Sequence, residues 1–148
     1  KLIIMSQEEG AMAALIAMGG AIILVFLLIA LVVAILYLLN LQNLMKSIKE
    51  ENREVSPGNV WLMLIPLFSL VYAFILYPKI SASVKKELES REMDTAGDGA
   101  KNLGLALAIT GAASILPIPV LGGLIGLANL VIFIMWWVKT AGFKNKFR

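Results

Sequence analysis

The sequence contains no cysteine and no histidine among its 148 residues. Disulfide bonds, thiolate chemistry, zinc sites and the usual ligands of haem iron are therefore excluded, and we expect no cofactor and no bound metal. Only 16% of the residues are charged and 59% are hydrophobic, whereas soluble domains average about 25% and about 45–50%. The net charge of +3 is too small and too scattered to indicate binding to nucleic acid. This composition predicts a protein embedded in a lipid bilayer.

Four segments carry no charged side chain, and we interpret them as transmembrane helices because about 20 apolar residues span a hydrocarbon core of about 30 Å. They cover residues 11–39, 60–77, 102–116 and 120–138. The sequence thus predicts an all-α integral membrane protein with four transmembrane helices in one domain, 1–148. The first segment is interpreted as a retained membrane anchor, since it is longer than the apolar core of a signal peptide.

Prolines interrupt or join these segments and are candidate hinges. Pro66 lies inside the second segment, where it removes a backbone donor and predicts a kink. Pro117 and Pro119 join the last two segments into a tight hairpin whose connection is uncharged. The 15 residues of 102–116 rise only about 22 Å as a helix, so a re-entrant hairpin stays open as an alternative to two full crossings.

Two amphipathic stretches follow the first two segments. Residues 40–55 place apolar side chains at the spacing of one helical face, which predicts that the first helix continues beyond the membrane. Residues 79–93 repeat an apolar side chain every four positions and predict a surface helix that begins after Pro78 ends the second segment. Its stripe rests either on the membrane or on neighbouring helices. Residues 94–99 are interpreted as a solvated linker. The two apolar stripes are Leu41, Leu44, Met45 and Ile48, and Ile80, Val84 and Leu88.

The distribution of basic residues predicts an orientation. If all four segments cross, ten lysines and arginines lie on the side of the two termini, and three, between residues 46 and 53, lie on the other. Cytoplasmic segments carry the excess of basic residues. We therefore expect both termini in the cytoplasm and Glu51 on the opposite side.

The four apolar segments contain no Asp, Glu, Lys or Arg. Ion pathways and intramembrane enzymes usually place an ionisable group at membrane depth, and no histidine is present to relay a proton. We therefore expect no catalytic residue and no enzymatic activity. The neutral polar residues of these segments, Asn129 among them, are interpreted first as packing groups.

Small residues recur every four positions, a spacing that lets membrane helices approach closely. Gly122 and Gly126 form a GxxxG pair, and Asn129 lies on the same helical face. The opposing ladder in the third segment is Gly104, Ala108 and Ala112, and a third ladder is Ala13, Ala17 and Ala21. We expect the first two sets to pack together, with Asn129 bonded to Thr110 or to a backbone carbonyl.

The run from Ser56-Pro57-Gly58 through Trp61 to Ile65-Pro66 has the pattern SPGxxWxxxIP. With the ending Trp136-Trp137-Val138-Lys139 and Gly142-Phe143-Lys144-Asn145, it resembles a family of small bacterial membrane proteins that has no assigned activity. The resemblance covers roughly residues 36–145. It implies a bacterial inner-membrane protein and assigns no functional residue.

These features together favour a non-catalytic membrane subunit or a self-assembling scaffold of a bacterial inner-membrane complex. Its expected partners are membrane lipid and either other membrane subunits or further copies of itself. The alternative is a small channel or carrier that uses neutral polar groups, with Asn129 and the hairpin of Pro117 and Pro119 as its working parts.

Overall fold

The computed structural model of the protein describes residues 1–94 and 97–148. Within these ranges the chain is all-helical and forms no strand, which confirms the predicted all-α class. Thr95 and Ala96, in the predicted linker 94–99, lie outside the described residues. The four α-helices are α1 (Leu2–Ser47), α2 (Phe68–Ser90), α3 (Lys101–Ala113) and α4 (Pro119–Lys146), and two 3-10 helices cover Glu50–Asn52 and Pro57–Leu64.

Two helices of the described chain are long and apolar enough to cross a membrane. They are the Ser6–Ser47 part of α1, 42 residues long, and α4, 28 residues long. Most of their apolar residues are exposed, unlike those of a core helix in a soluble protein. α3 is shorter than a crossing requires, since its 13 residues rise about 20 Å.

The chain, interpreted from its sequence as one domain, divides into two compact units. Unit one is Lys1–Leu36 and unit two is Tyr37–Arg148. Unit one is a single stretch of helix, and almost all its described side chains are exposed.

Unit two is held together by the two amphipathic stretches that the sequence indicated. Leu41, Leu44 and Met45 of α1 are completely buried. Ile80 and Val84 of α2 are buried in the same hydrophobic cluster. Of the two alternatives for the stripe of residues 79–93, the structure therefore has neighbouring helices rather than a membrane surface.

The predicted second segment, 60–77, is not one helix. The 3-10 helix Pro57–Leu64 ends where it does because Ile65 takes extended angles (φ −77°, ψ 113°) that suit a residue before proline. Pro66 thus lies in a turn between two helices rather than at a kink within one. Leu67 follows with a positive φ of 62°, and α2 begins at the next residue.

The prediction that Pro78 ends this segment is wrong, because α2 continues through it to Ser90. Tyr77 and Ile80, on either side of the proline, are both buried. Packing on both sides outweighs the local preference against proline in a helix.

The charged segments of unit two meet at one end, which we call the charged end; it comprises residues 49–54, 83–91 and 143–148. Asn52 donates a hydrogen bond to Glu87 at 2.7 Å, and the Arg91 guanidinium lies 5.1 Å from the ring centroid of Phe147. Glu51 and the carboxyl-terminal tail thus both belong to segments at this end, whereas the sequence predicted them on opposite sides of a membrane. That prediction assumed that 60–77 crosses as one helix, and the described chain instead makes a turn at residues 65–67. The orientation of the termini stays a prediction.

Candidate functional site

Glu87 is a fully buried carboxylate at the charged end. Its Oε2 accepts hydrogen bonds from the backbone N–H of Lys49 at 3.0 Å and from Nδ2 of Asn52 at 2.7 Å. Its Oε1 accepts one from Nε of Arg91, one turn further along α2, at 2.7 Å. A buried charge is tolerated when it is paired and hydrogen-bonded, and these three donors meet that condition. Glu87 therefore joins α2 to the segment that follows α1.

The surroundings of Glu87 act on its pKa in opposite directions. Burial is the largest influence and by itself raises the pKa, because it disfavours the charged form. Hydrogen bonds from Asn52, Arg91 and the Lys49 N–H, together with the positive charge of Arg91, favour the charged form. The net result is a pKa below the ordinary value, so Glu87 is ionised at neutral pH.

The carboxyl end of α1 is closed by an arginine. Nε of Arg53 donates to the carbonyl oxygens of Met45 at 2.7 Å and Ile48 at 2.9 Å, and Nη2 donates to that of Lys46 at 3.1 Å. The last carbonyls of a helix lack intrahelical partners and form the negative end of the helix dipole. Arg53 supplies hydrogen-bond donors to these carbonyls and a positive charge at the negative end of the dipole. It thereby fixes the point at which the chain leaves α1.

A second contact fastens the same segment to α2. Glu54 forms an ion pair with Lys86, and its backbone N–H donates to Oγ of Ser83 at 2.8 Å. The hydrogen bond from Lys86, followed by its positive charge, lowers the pKa of Glu54. The Glu54 carboxylate is therefore already neutralised by a neighbour.

A pocket of about 410 Å³ opens beside this contact. Its size falls within the roughly 300–1,000 Å³ of small-molecule sites. The residues with polar side chains that line it are Lys79, Lys85, Lys101, Ser81, Glu54 and Asp98. Ser81 is 1% exposed, and its Oγ has no hydrogen-bond partner in the described chain. The residues that line the pocket thus include three lysines, but aliphatic rather than charged atoms form most of its accessible wall.

The wall opposite α2 is formed by the start of α3. The Asp98 carboxylate accepts hydrogen bonds from the backbone N–H groups of Ala100 and Asn102, each at 2.9 Å. These bonds, that of Asn102 foremost, lower the pKa of Asp98. Gly99 has a φ of +63°, and a Cβ there would lie 2.6 Å from the carbonyl oxygen of Ser81. Only glycine lets the loop approach α2 so closely.

Two polar contacts cross the interior of unit two away from the charged end. The hydroxyl of Tyr37 donates to that of Tyr77 at 3.2 Å, and Nδ2 of Asn40 donates to Oγ1 of Thr140 at 2.9 Å. Both join α1 to other helices of the unit. Each of these two donors has a partner that lies far away in the sequence, and neither pair was predicted. The buried Oδ1 of Asn40 has no hydrogen-bond partner in the described chain.

The predicted small-residue ladder of α3 lies on its inner side. Gly104 and Ala108 are buried, and Ala112 is half-buried. A Cβ at Gly104 would lie 2.9 Å from both Cζ3 of Trp136 and Cβ of Tyr77. Gly104 is therefore the point of close approach between α3 and its neighbours.

The predicted face of α4 makes its contact through the asparagine rather than through the glycines. Nδ2 of Asn129 donates to Oγ1 of Thr110 at 2.8 Å and to the Leu107 carbonyl at 3.1 Å, as expected. A Cβ at Gly126 would have no described atom within 4 Å, and one at Gly122 would lie 3.5 Å from the nearest backbone oxygen. The expected backbone contact at Gly126 is absent from the described chain, because α3 ends at Ala113 and its tight contact lies at the other end.

The three candidate hinge prolines all lie at helix boundaries. Pro66 precedes α2, Pro117 lies in the connection between α3 and α4, and Pro119 is the first residue of α4. Proline suits that first position because its missing N–H would have no partner there. Their role as hinges stays a prediction.

Sequence reasoning missed Glu87, Ser81 and Gly99. Glu87 comes seven residues after Ile80 and therefore on the same helical face, so an acid within an apolar stripe was the available signal. Ser81 and Gly99 had none, because their roles depend on a loop that approaches α2 from elsewhere in the chain.

The described residues form no group of three or more acidic side chains that could hold a metal. Fold and site thus define an all-helical protein with two helices able to span a membrane. Comparisons with protein-family models, with curated proteins and with solved structures find no match.

Proposed function

We propose that this chain is a non-catalytic subunit or self-assembling scaffold of a bacterial inner-membrane complex. The main support is unit one, whose helix has exposed apolar side chains along almost its whole length. Large exposed apolar surfaces mark contacts with membrane or with other proteins. The small-residue ladder Ala13, Ala17 and Ala21 lies on this exposed helix. Such ladders are where membrane helices pack.

In the proposed topology residues 11–39 cross the membrane once. The charged end lies on one side, so the apolar stretches 57–77 and 102–138 both leave and return to that side. The first is then re-entrant, and the second is a hairpin that either crosses twice or is re-entrant. This arrangement replaces four full crossings.

Twelve of the thirteen basic residues belong to unit two, and Lys1 is the exception. The positive-inside rule then places the charged end and the carboxyl terminus in the cytoplasm and the amino terminus outside. Membership of the small bacterial family that the SPGxxWxxxIP motif resembles remains part of the proposal.

Purification of the tagged chain in mild detergent tests the assembly. We expect either a stoichiometric partner or a defined oligomer by light scattering. Ala17→Leu fills the ladder and should dissociate the assembly. Ala30→Leu adds the same bulk on the opposite side of the helix and should not. A monodisperse monomer without a partner would refute the assembly.

One observation favours a small carrier as the second candidate. A pocket of about 160 Å³ is lined by the neutral polar residues Ser69, Tyr77 and Asn129 within otherwise apolar segments. Solute flux into liposomes that is lost in Asn129→Leu, with the fold intact, would support this function over the first.

A further inference from the structure

The smaller pocket, of about 160 Å³, is lined by residues of α2, α3 and α4, none of which is charged. We propose that it binds the hydroxyl group of an uncharged alcohol, which donates its hydrogen to Oδ1 of Asn129. The inference goes beyond both candidate functions, because such binding requires neither assembly nor transport.

The orientation of the Asn129 amide is fixed by its two neighbours on α3. The hydroxyl of Thr110 donates its own hydrogen to the Ala106 carbonyl at 2.8 Å, and the Leu107 carbonyl can only accept. Both atoms that face the amide therefore need a donor, and only Nδ2 supplies one. The two hydrogens of Nδ2 are thus engaged within the protein. Oδ1, the other arm of the amide, accepts no hydrogen bond in the described chain.

Ser69 places a second free polar group in the lining of this pocket. Serine and threonine in apolar helices commonly donate to a carbonyl one turn earlier, as Ser114 does to Gly111 at 2.8 Å. The hydroxyl of Ser69, at the second position of α2, makes no such bond in the described chain. It is therefore able to donate to a ligand or to accept from one.

Both free groups are accessible. In the described chain, the fully buried side-chain polar atoms that lack a partner are Oδ1 of Asn40, Oγ of Ser81 and Nε1 of Trp136. Oδ1 of Asn129 and Oγ of Ser69 also lack a partner but are not fully buried, so each keeps accessible surface. Polar atoms accordingly form a substantial part of the accessible wall here, whereas the larger pocket of about 410 Å³ has a wall that is almost entirely apolar.

The lining also determines the class of ligand. No charged residue is present to pair with an ion, and an unpaired charge in apolar surroundings is costly, so the ligand is uncharged. Oδ1 of Asn129 requires a donor, and the side chains of Leu107 and Phe133 offer apolar contacts. Water supplies a donor but no apolar contact, whereas a hydroxyl on an apolar body supplies both. The volume lies below the roughly 300–1,000 Å³ of drug-sized sites, so it suits a short alcohol or the hydroxyl end of a lipid.

The test is photolabelling of the full chain in a neutral detergent. The probes are an octanol that carries a diazirine and the methyl ether of the same molecule, which keeps the apolar body and lacks the donor. Labelled residues are mapped by mass spectrometry. We expect the alcohol to label positions 107–112 and 129–133 roughly two- to tenfold more than the ether does, the range that one hydrogen bond supplies. Equal labelling by the two probes would show apolar partitioning alone and overturn the site.

Three variants assign the preference to particular atoms. Asn129→Leu removes the acceptor and should abolish the preference for the alcohol over the ether. Ser69→Ala should reduce the preference by a smaller factor, without an effect on the thermal midpoint. Ser114→Ala removes a hydroxyl that is already bonded within α3 and should keep the preference. Because the readout is a ratio of two probes, a loss of fold lowers both labels. A preference that survives in both Asn129→Leu and Ser69→Ala would overturn the proposal.

Competition separates the two sources of the hydroxyl. Displacement of the alcohol probe by dioctanoylglycerol but not by 1-butanol would assign the pocket to a lipid, and the reverse would assign it to a soluble alcohol. Displacement by neither compound would overturn the site. A preference for the alcohol in a monomeric chain would refute the assembly and keep the pocket. A preference without solute flux into liposomes would refute the carrier and keep the pocket.

Discussion

The side-chain amide of Asn52 donates to Oε2 of Glu87 at 2.7 Å and so links the segment after α1 to the last turns of α2. The same oxygen accepts the backbone N–H of Lys49. One carboxylate thus holds two separate stretches of chain, and the closeness of the charged segments depends on it.

Replacing Glu87 by Gln should destabilise unit two. The amide keeps the shape but loses the charge that Arg91 and Asn52 contact, and hydrogen bonds to charged groups contribute about 1.5–3 kcal/mol. We expect the free energy of unfolding in detergent to fall by about 2 kcal/mol. Glu54→Gln, at an exposed ion pair, should change it far less. Equal losses in the two variants would contradict a special role for Glu87.

The lowered pKa of Glu87 predicts acid sensitivity. Its folded pKa lies below the ordinary value of 4.5, so its contribution is fully present above pH 4.5 and is lost as the pH falls through the folded pKa. As the pH is lowered through this range, the thermal midpoint should decrease more steeply in the wild-type chain than in Glu87→Gln. Because Glu54 and Asp98 also have lowered pKa values, the variant should keep part of the slope.

Gly104→Ala should destabilise the packing of α3, because the new Cβ would lie 2.9 Å from Trp136 and from Tyr77. Overpacking of this kind typically costs about 1–3 kcal/mol. Gly126→Ala is the matched control on α4, where a Cβ has open space. It should be neutral or slightly stabilising, since alanine is the better helix former. Thermal unfolding in detergent measures both, and a larger loss at Gly126 would point to a partner helix at that position.

Asn129→Leu should cost less than Gly104→Ala. It removes hydrogen bonds to Thr110 and to the Leu107 carbonyl, but interhelical bonds in membranes contribute only about 0.6 kcal/mol on average. Thermal midpoints of Asn129→Leu, Gly104→Ala and the control Gly126→Ala give the ranking. A loss at Asn129 that exceeds the loss at Gly104 would show that the asparagine does more than hold the helices in register.

The proposed location of the whole charged end on one side of the membrane predicts a labelling pattern. The chain has no cysteine, so single cysteines at Ser6, Glu51 and Arg148 can be probed with an impermeant thiol reagent in intact cells. In the proposed topology we expect labelling at position 6 and, only after permeabilisation, at positions 51 and 148. Different labelling at positions 51 and 148 would contradict the proposal that the charged end lies on one side of the membrane.

Periodicity in the sequence identified both apolar stripes of unit two, because a helical repeat of buried residues is a local signal. Leu41 and Ile80 were recognised in this way, and the spacing of Asn129 predicted a bond to Thr110 or to a backbone carbonyl, both of which it makes. The course of the chain around Pro66 and Pro78 was not recognised. At Pro66 the preceding residue, Ile65, prefers extended backbone angles, and the helix ends there. At Pro78 the burial of Tyr77 and Ile80 outweighs the preference against proline in a helix, and the helix continues.

The sequence did not predict the larger pocket, for a different reason. Lys79 and Lys101 are far apart in the chain, and Gly99 brings the two segments together through a backbone contact with Ser81. No local pattern encodes such an approach. The orientation predicted from the basic residues stays a prediction, because it depends on whether 60–77 crosses the membrane.

The hydrogen bond between Asn40 and Thr140 spans 100 positions of the chain, and this separation has a consequence for biogenesis. Ribosomes add about 5–20 residues per second, so Asn40 waits about 5–20 s for its partner to be made. During that interval the Asn40 amide lacks the Thr140 hydroxyl as a partner. A chain that stops before residue 140 never completes this contact, so the joining of α1 to α4 at this point follows the synthesis of α4.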